Sequence, residues 1–392
     1  MDNKQMILDF IVSKTDDYMA LVKTMYENPE IGNQEFETME LLTKYLIDAG
    51  FETQKGYVVP TGFIGTYDSN KEGPTIAFMC EYDALPEVGH GCGHNLIAGI
   101  GIAAGEALKQ IVDQYGGKVI VLGTPAEENF GGKVSMANAG VFDTIDVALM
   151  VHPGTKNGVG SKSQALNPIK FEFFGKNAHA CDPENGASAL DAAVMTFTSI
   201  NMLRQFVEPG TYIHGIIKDG GSAANVIPAY ASLEYYFRAS TMKYAKEITE
   251  KAINCAKGAC QATNTTVKTS VYECPYEDTL VNYTLADMLT NKYYELGIQD
   301  VNPVDEEAKG STDVGAASYK CPTIQGNIKI ASDDVLGHSK EMAAATISED
   351  GKNGLIKASQ AIALVALELL ENPDKLKQVK EEFNNAHKSI KS

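Results

Sequence analysis

Two short, largely apolar runs stand out in the first third of the chain, Thr75 to Cys80 (TIAFMC) and Lys118 to Gly123 (KVIVLG), and a third follows at Asp146 to Val151. Each is too short for a helix, lacks polar alternation and gives way to a polar segment, which is the pattern of strands buried on both faces. Between the first two, Asn95 to Gln110 has the length of a helix, and its glycines at 99, 101 and 105 predict close packing on the sheet. Upstream, the pattern predicts helices near residues 16–28 and 36–49, the second stopped by Gly50. Alternating strand and helix implies a largely parallel sheet, in which ligands sit beyond the carboxyl ends of the strands.

From about Pro168 the order changes to strand (169–175), helix (187–206), strand (212–219), strand (229–239), helix (242–263) and strand (266–273). That is the split βαβ, ferredoxin-like order, with helices on one face of a small sheet. Helices near 281–296 and 351–370 then resume the first pattern. The expected organisation is a catalytic domain in two parts, 1–167 and 279–392, interrupted by an inserted α+β domain at 168–278. A chain of 392 residues exceeds what one core usually serves, in keeping with two domains.

Composition narrows the possible partners. With 44% apolar residues and no low-complexity run, the chain should fold unaided. A formal charge of −18 disfavours nucleic acid, whose binding needs clustered Lys and Arg. The opening MDNKQMILDF has no basic segment followed by an apolar run, and no stretch of about 18 apolar residues follows, so export and membrane insertion are not expected. The seven cysteines are odd in number and dispersed, which fits reduced thiols and a cytoplasmic location.

Potential chemistry gathers in four places. Glu81-Tyr82-Asp83-Ala84-Leu85-Pro86 precedes Gly89-His90-Gly91-Cys92-Gly93-His94-Asn95, where thiolate and imidazole suit Zn²⁺ or a similar ion. Taken alone, this segment is equally compatible with a tight turn opening a helix. Glu127 and Glu128, in Thr124 to Asn129, form an acidic pair just past an apolar strand, able to divide metal binding from proton transfer. His152 stands at another strand end and His338 in Gly337-His338-Ser339. A lone histidine is more often structural, but together these places supply Cys, Glu and His ligands sufficient for two metals.

The segments EYDALP with GHGCGHN, TPAEEN, VHP, KNAHA, AANVIP, FRAS, GSTDVG and GHS run in order through nearly the whole chain. In that combination the sequence resembles metallopeptidase family 20, which includes aminoacylase, carnosinase, carboxypeptidase G and aminobenzoyl-glutamate hydrolase. It looks closest to the amidohydrolase branch with a Cys-Gly-His metal motif. The resemblance implies a zinc-exopeptidase-like, mostly parallel sheet flanked by helices, with the inserted ferredoxin-like domain acting as lid and dimerisation surface.

The resemblance further implies that Cys92 bridges two divalent ions, Zn²⁺ or Mn²⁺ with Co²⁺ acceptable, one completed by Glu128 and His338 and the other by His94 and His152. Glu127 would be the general base and Asp83 would steady an imidazole ligand. His179 would donate to the carbonyl oxygen, reaching across a homodimer. Asn225, Arg238 and Ser311 would meet a small amide or dipeptide substrate bearing a carboxylate. Glu81 departs from the wider family, many members of which carry a ligand His there. His214 is expected to pack under its sheet, the alternative being a place facing the cleft. Two other classes fit parts of the pattern: an inactive small-molecule-binding protein on the same fold, and a thiol hydrolase using Cys92 with His94.

Overall fold

The computed structural model describes residues 2–308 and 310–391 and divides into two compact units. The first comprises Met1–Lys162, Thr279–Glu307 and Thr312–Ser392; the second comprises Ser163–Asp278 and Ala308–Ser311. The second unit thus starts a few residues before 168 and takes Ser311 with it, although the sequence boundaries put that residue with the first. The earlier start follows from the opening strand, Ala165–Phe174, which runs through Pro168. Its neighbour Thr266–Val271 pairs only as far as Ile169, so no ladder partner on that side needs an N–H from the proline.

In the first unit an eight-stranded sheet has the order 52–55, 63–68, 118–123, 75–80, 147–154, 323–329, 157–158, 301–302. The four strands Lys118–Gly123, Thr75–Cys80, Val147–Gly154 and Thr323–Lys329 are mutually parallel. Both faces are covered, which is why their sequences are continuously apolar. Ile76, Phe78, Val119 and Val121 join the cluster beneath helices Asn3–Ser13, Thr15–Glu27, His94–Val112 and Glu349–Glu371, whereas Ala77, Met79, Ile120 and Leu122 join Met136, Phe142 and Val314 on the other side. Helix His94–Val112 lies tightly on the sheet: a Cβ at Gly101 would stand 2.5 Å from Cys80 Sγ. Glu349–Glu371 is long and apolar enough to cross a bilayer, yet 78% of its apolar window is buried and it packs against His94–Val112 and Tyr283–Glu295.

The antiparallel pair Glu52–Lys55 and Phe63–Asp68 at the sheet edge has no signature in the apolar pattern, because an edge strand such as Glu-Thr-Gln-Lys is charged and solvated. The second unit is a four-stranded antiparallel sheet in the order 266–271, 165–174, 230–239, 212–219. Helices Ala189–Leu203 and Met242–Thr263 pack over it, burying Phe171, Phe173, Tyr235 and Phe237. That is the ferredoxin-like arrangement, and Tyr212–Asp219 is left as an edge strand.

Candidate metal centre

The first unit gathers its polar residues where the parallel strands end. Cys80 and Gly123 are aligned partners at the ends of adjacent strands, so Glu81 to Asp83 and Thr124 to Asn129 leave the sheet side by side. His152 belongs to the next strand, and His94 opens the helix that follows the Cys92 turn. Two glycines bring the remaining groups in. Gly93 has φ +85° and a Cβ there would lie 2.4 Å from Pro153 Cγ, which sets the Cys92 turn against the His152 strand. A Cβ at Gly91 would stand 3.1 Å from the His338 carbonyl carbon, and the His338 N–H donates to Gly91 O at 3.0 Å. His338 itself holds the left-handed φ of 58°.

Cys92 Sγ is 3.4 Å from His152 Nε2, and His338 Nε2 is 3.5 Å from Glu128 Oε1. Ligand atoms of Cys92, His94 and His152 lie within 4.8 Å of one another, as do those of Cys92, Glu128 and His338, and those of His94, Glu127 and Glu128. Cys92 is therefore common to two three-residue groups. Within this cluster His94 Nε2 and Glu128 Oε1 are buried without a hydrogen-bond partner. Buried polar atoms are otherwise almost always satisfied, so a soft and borderline donor set with unsatisfied lone pairs fits divalent ions such as Zn²⁺.

Asp83 orders the centre from beneath. Its Oδ1 is 2.9 Å from His94 Nδ1, leaving Nε2 to face the cluster, and its Oδ2 accepts the Glu128 N–H at 3.0 Å. Burial opposes charge on Asp83, but His94 overcomes it and holds the carboxyl below its usual range. Burial also pushes the Cys92 thiol up to about 12, the opposite of an activated nucleophile and a poor start for thiol hydrolysis. Burial beside Glu81 and Asp313 raises Glu127, the direction expected of a proton acceptor.

Residues 77–348 match Peptidase family M20/M25/M40. The chain belongs to this family. It is 36% identical over 380 residues to the mouse Xaa-Arg dipeptidase, covering 93% of this chain and 88% of the mouse protein. It is 33% identical over 310 residues to a p-aminobenzoyl-glutamate hydrolase polypeptide of Escherichia coli, covering 73% and 63% of the two chains. Among solved structures, an aminobenzoyl-glutamate utilization protein from Klebsiella pneumoniae shares the fold with a TM-score of 0.73 at 20% identity, covering 92% of this chain and 97% of that one. A dinuclear metal-binding family M20 peptidase from Bacillus subtilis does so with a TM-score of 0.67 at 19% identity, covering 92% and 99%. As a family M20 member, the chain is a metal-dependent hydrolase of peptide or other amide bonds.

Beside the family motifs, the centre contains a buried charge network that the sequence does not reveal. Lys133, fully buried, donates to Glu81 Oε1 at 2.5 Å and to Asp313 Oδ1 at 2.6 Å. Burial alone would pull the ammonium down, but Asp313, Glu81 and Glu127 hold it above its usual range. Glu81 is thus paired to Lys133 on one oxygen, with the other 3.3 Å from His94 Nε2. Lys133 follows two glycines and carries no spacing signal; Asp313 lies inside GSTDVG, a segment whose glycines are what draw attention to it.

The other residues that the sequence of this family M20 chain singles out, Arg238, Ser311, His179 and Asn225, lie in the second unit. Arg238 donates to Ser311 Oγ at 2.6 Å, and its guanidinium lies 5.6 Å from the Tyr236 ring centroid. His179 is paired with Val226 in a two-stranded ribbon, next to Asn225, whose carbonyl accepts the Ala180 N–H. The His179 ring accepts the Cys181 N–H through Nδ1, which leaves Nε2 outward on an exposed side chain. His214 departs from expectation: it is exposed on the edge strand and stacked on Tyr212 at 6.1 Å, because the helices cover the opposite sheet face.

Proposed function

We propose that this protein hydrolyses the amide bond of a small substrate with a free carboxylate, with two divalent ions that Cys92, His94, His152, Glu128 and His338 would hold. The carrying observation is the pair of ligand groups, Cys92, His94 and His152 and Cys92, Glu128 and His338, with unsatisfied buried atoms on His94 and Glu128. The dinuclear family M20 peptidase of the same fold supports a count of two. Zn²⁺ and Mn²⁺ suit the donors, and Co²⁺ is acceptable.

Bound there, the ions would supply Lewis acidity toward the scissile carbonyl and the attacking water. Glu127 takes the proton from that water and returns it to the leaving amine. Asp83 keeps His94 in the tautomer that presents Nε2. In the second unit, Arg238 with Ser311 and Asn225 offers groups suited to a substrate carboxylate, and His179 Nε2 is a donor suited to a carbonyl oxygen. The substrate classes are dipeptides, N-acyl amino acids and aminobenzoyl-glutamate, a reading supported by relatives named Xaa-Arg dipeptidase, p-aminobenzoyl-glutamate hydrolase and N-acetyl-L-cysteine deacetylase.

The same reading includes a homodimer and a cytoplasmic location. The edge strand Tyr212–Asp219 exposes Tyr212, Ile216 and Ile217, which supports strand pairing with a second copy. The seven cysteines form no disulfide with one another, which supports a reducing compartment. The test is elemental analysis with assay: protein reconstituted with Zn²⁺ or Mn²⁺ should carry about two ions per chain and release amine from the panel above. His152→Ala and His338→Ala should each lower metal content and activity together; unchanged metal in both variants removes the assignment.

A further inference from the structure

Glu35 is completely buried in the first unit and is not part of the metal cluster. It stands at the N-cap position of helix Phe36–Asp48, yet its side chain does not cap that helix. Glu30 does so instead, accepting the N–H groups of Glu37 and Thr38 at 3.1 and 2.8 Å. The Glu35 carboxylate is turned elsewhere. Its Oε1 accepts the Ala126 N–H at 2.9 Å and its Oε2 accepts the Thr61 hydroxyl at 2.8 Å.

Ala126 immediately precedes Glu127 and has φ +60°, a left-handed conformation that a residue with a Cβ adopts only under constraint. Its backbone is held on both sides. The next N–H but one, that of Glu128, is fixed by Asp83 Oδ2 at 3.0 Å. From below, Gly32 abuts the turn so closely that a Cβ there would stand 3.1 Å from Ala126 Cα and 2.5 Å from Asn129 Oδ1. The same 29–35 segment is tied to the Asp83 end, since the Ala84 N–H donates to Glu30 O at 2.8 Å.

We propose that Glu35 is a positioning residue for catalysis: it holds Ala126 left-handed and thereby aims Glu127, a role that rests on Glu127 being the general base. Two buried carboxylates then latch the turn, Asp83 on the Glu128 side and Glu35 on the Ala126 side. Glu35 needs acceptor oxygens at a fixed reach, not charge. A glutamine satisfies that need, its Oε1 accepting from Ala126 while its amide N–H donates to the Thr61 hydroxyl. An aspartate keeps the charge but is one methylene too short to span both partners.

The experiment compares Glu35→Gln, Glu35→Asp and Glu35→Asp/Ala126→Gly for kcat, KM and bound metal per chain in the reconstituted dimetal protein. Glu35→Gln should stay within about threefold of wild type in kcat, whereas Glu35→Asp should lose roughly 10- to 100-fold in kcat with KM and metal content unchanged. Ala126→Gly should restore a large part of that loss, because glycine adopts φ +60° without the latch. An aspartate variant as active as the glutamine variant, a glutamine variant as slow as the aspartate one, loss of metal in step with activity, or no rescue by glycine each overturns the latch. Glu127→Gln in the same assay reads the underlying assignment separately: near wild-type turnover there removes Glu127 itself, whatever the Glu35 variants do.

Discussion

Lys133 and Asp313 lie 180 residues apart in sequence and meet twice, Nζ to Oδ1 at 2.6 Å and backbone N–H to Oδ2 at 2.9 Å. The aspartate thus pins both the side chain and the backbone of the residue whose ammonium balances Glu81. Replacing Lys133 by Met would leave Glu81 and Asp313 buried without their cation. The expected loss is about 3–5 kcal/mol of unfolding free energy, read from urea denaturation. A Lys133→Met variant with a wild-type midpoint and slope would show that the pair contributes nothing.

Glu35 supplies a pH-dependent counterpart. Burial, with Asp83 adding to it, pushes its carboxyl up to about 7 despite the bonds from Thr61 and Ala126. Between about 4.5 and 7 the native state retains a proton that the unfolded chain has released, so stability must fall as pH rises through that window. Glu35→Gln has no such proton. Its stability relative to wild type should therefore rise with pH, by at most about 1.4 kcal/mol per unit. A difference that stays flat from pH 4.5 to 7.5 in chemical denaturation contradicts the assigned shift.

On the proposed mechanism Glu127 acts in the chemical step and not in holding the ions. Glu127→Gln should keep metal content and substrate KM while kcat drops by roughly 10²- to 10⁴-fold. Single-turnover assays on reconstituted protein measure this directly, and near-normal turnover takes Glu127 out of the mechanism.

His179 tests the assembly. If a dimer through the second unit brings His179 of one chain to the metals of the other, His179→Ala and Glu127→Gln are each inactive alone but complement when mixed, because one site of the heterodimer has both groups. Co-refolded mixtures shown by native mass spectrometry to contain heterodimers, yet as inactive as either parent, would exclude catalysis in trans.

The features legible in the sequence are those carried by local pattern. Thr75–Cys80 and Lys118–Gly123 read as strands because burial on two faces demands unbroken apolar runs, and the observed limits coincide with those runs. Tyr212–Asp219 and Met242–Thr263 likewise match the expected elements. Cys92, His94, Glu127, Glu128, His152 and His338 are conspicuous because scarce ligand types stand next to predicted strand ends and turns, and the strands' register together with the close approaches at Gly91 and Gly93 then brings them together. What only the tertiary structure decided is which buried charges meet. Glu35 reaches Ala126 across 91 residues and Lys133 reaches Asp313 across 180, and neither contact leaves a period or spacing in the sequence. Such groups are polar side chains tolerated in a core only because long-range packing delivers a partner to each, and in one dimension they look like any solvated Glu, Lys or Asp.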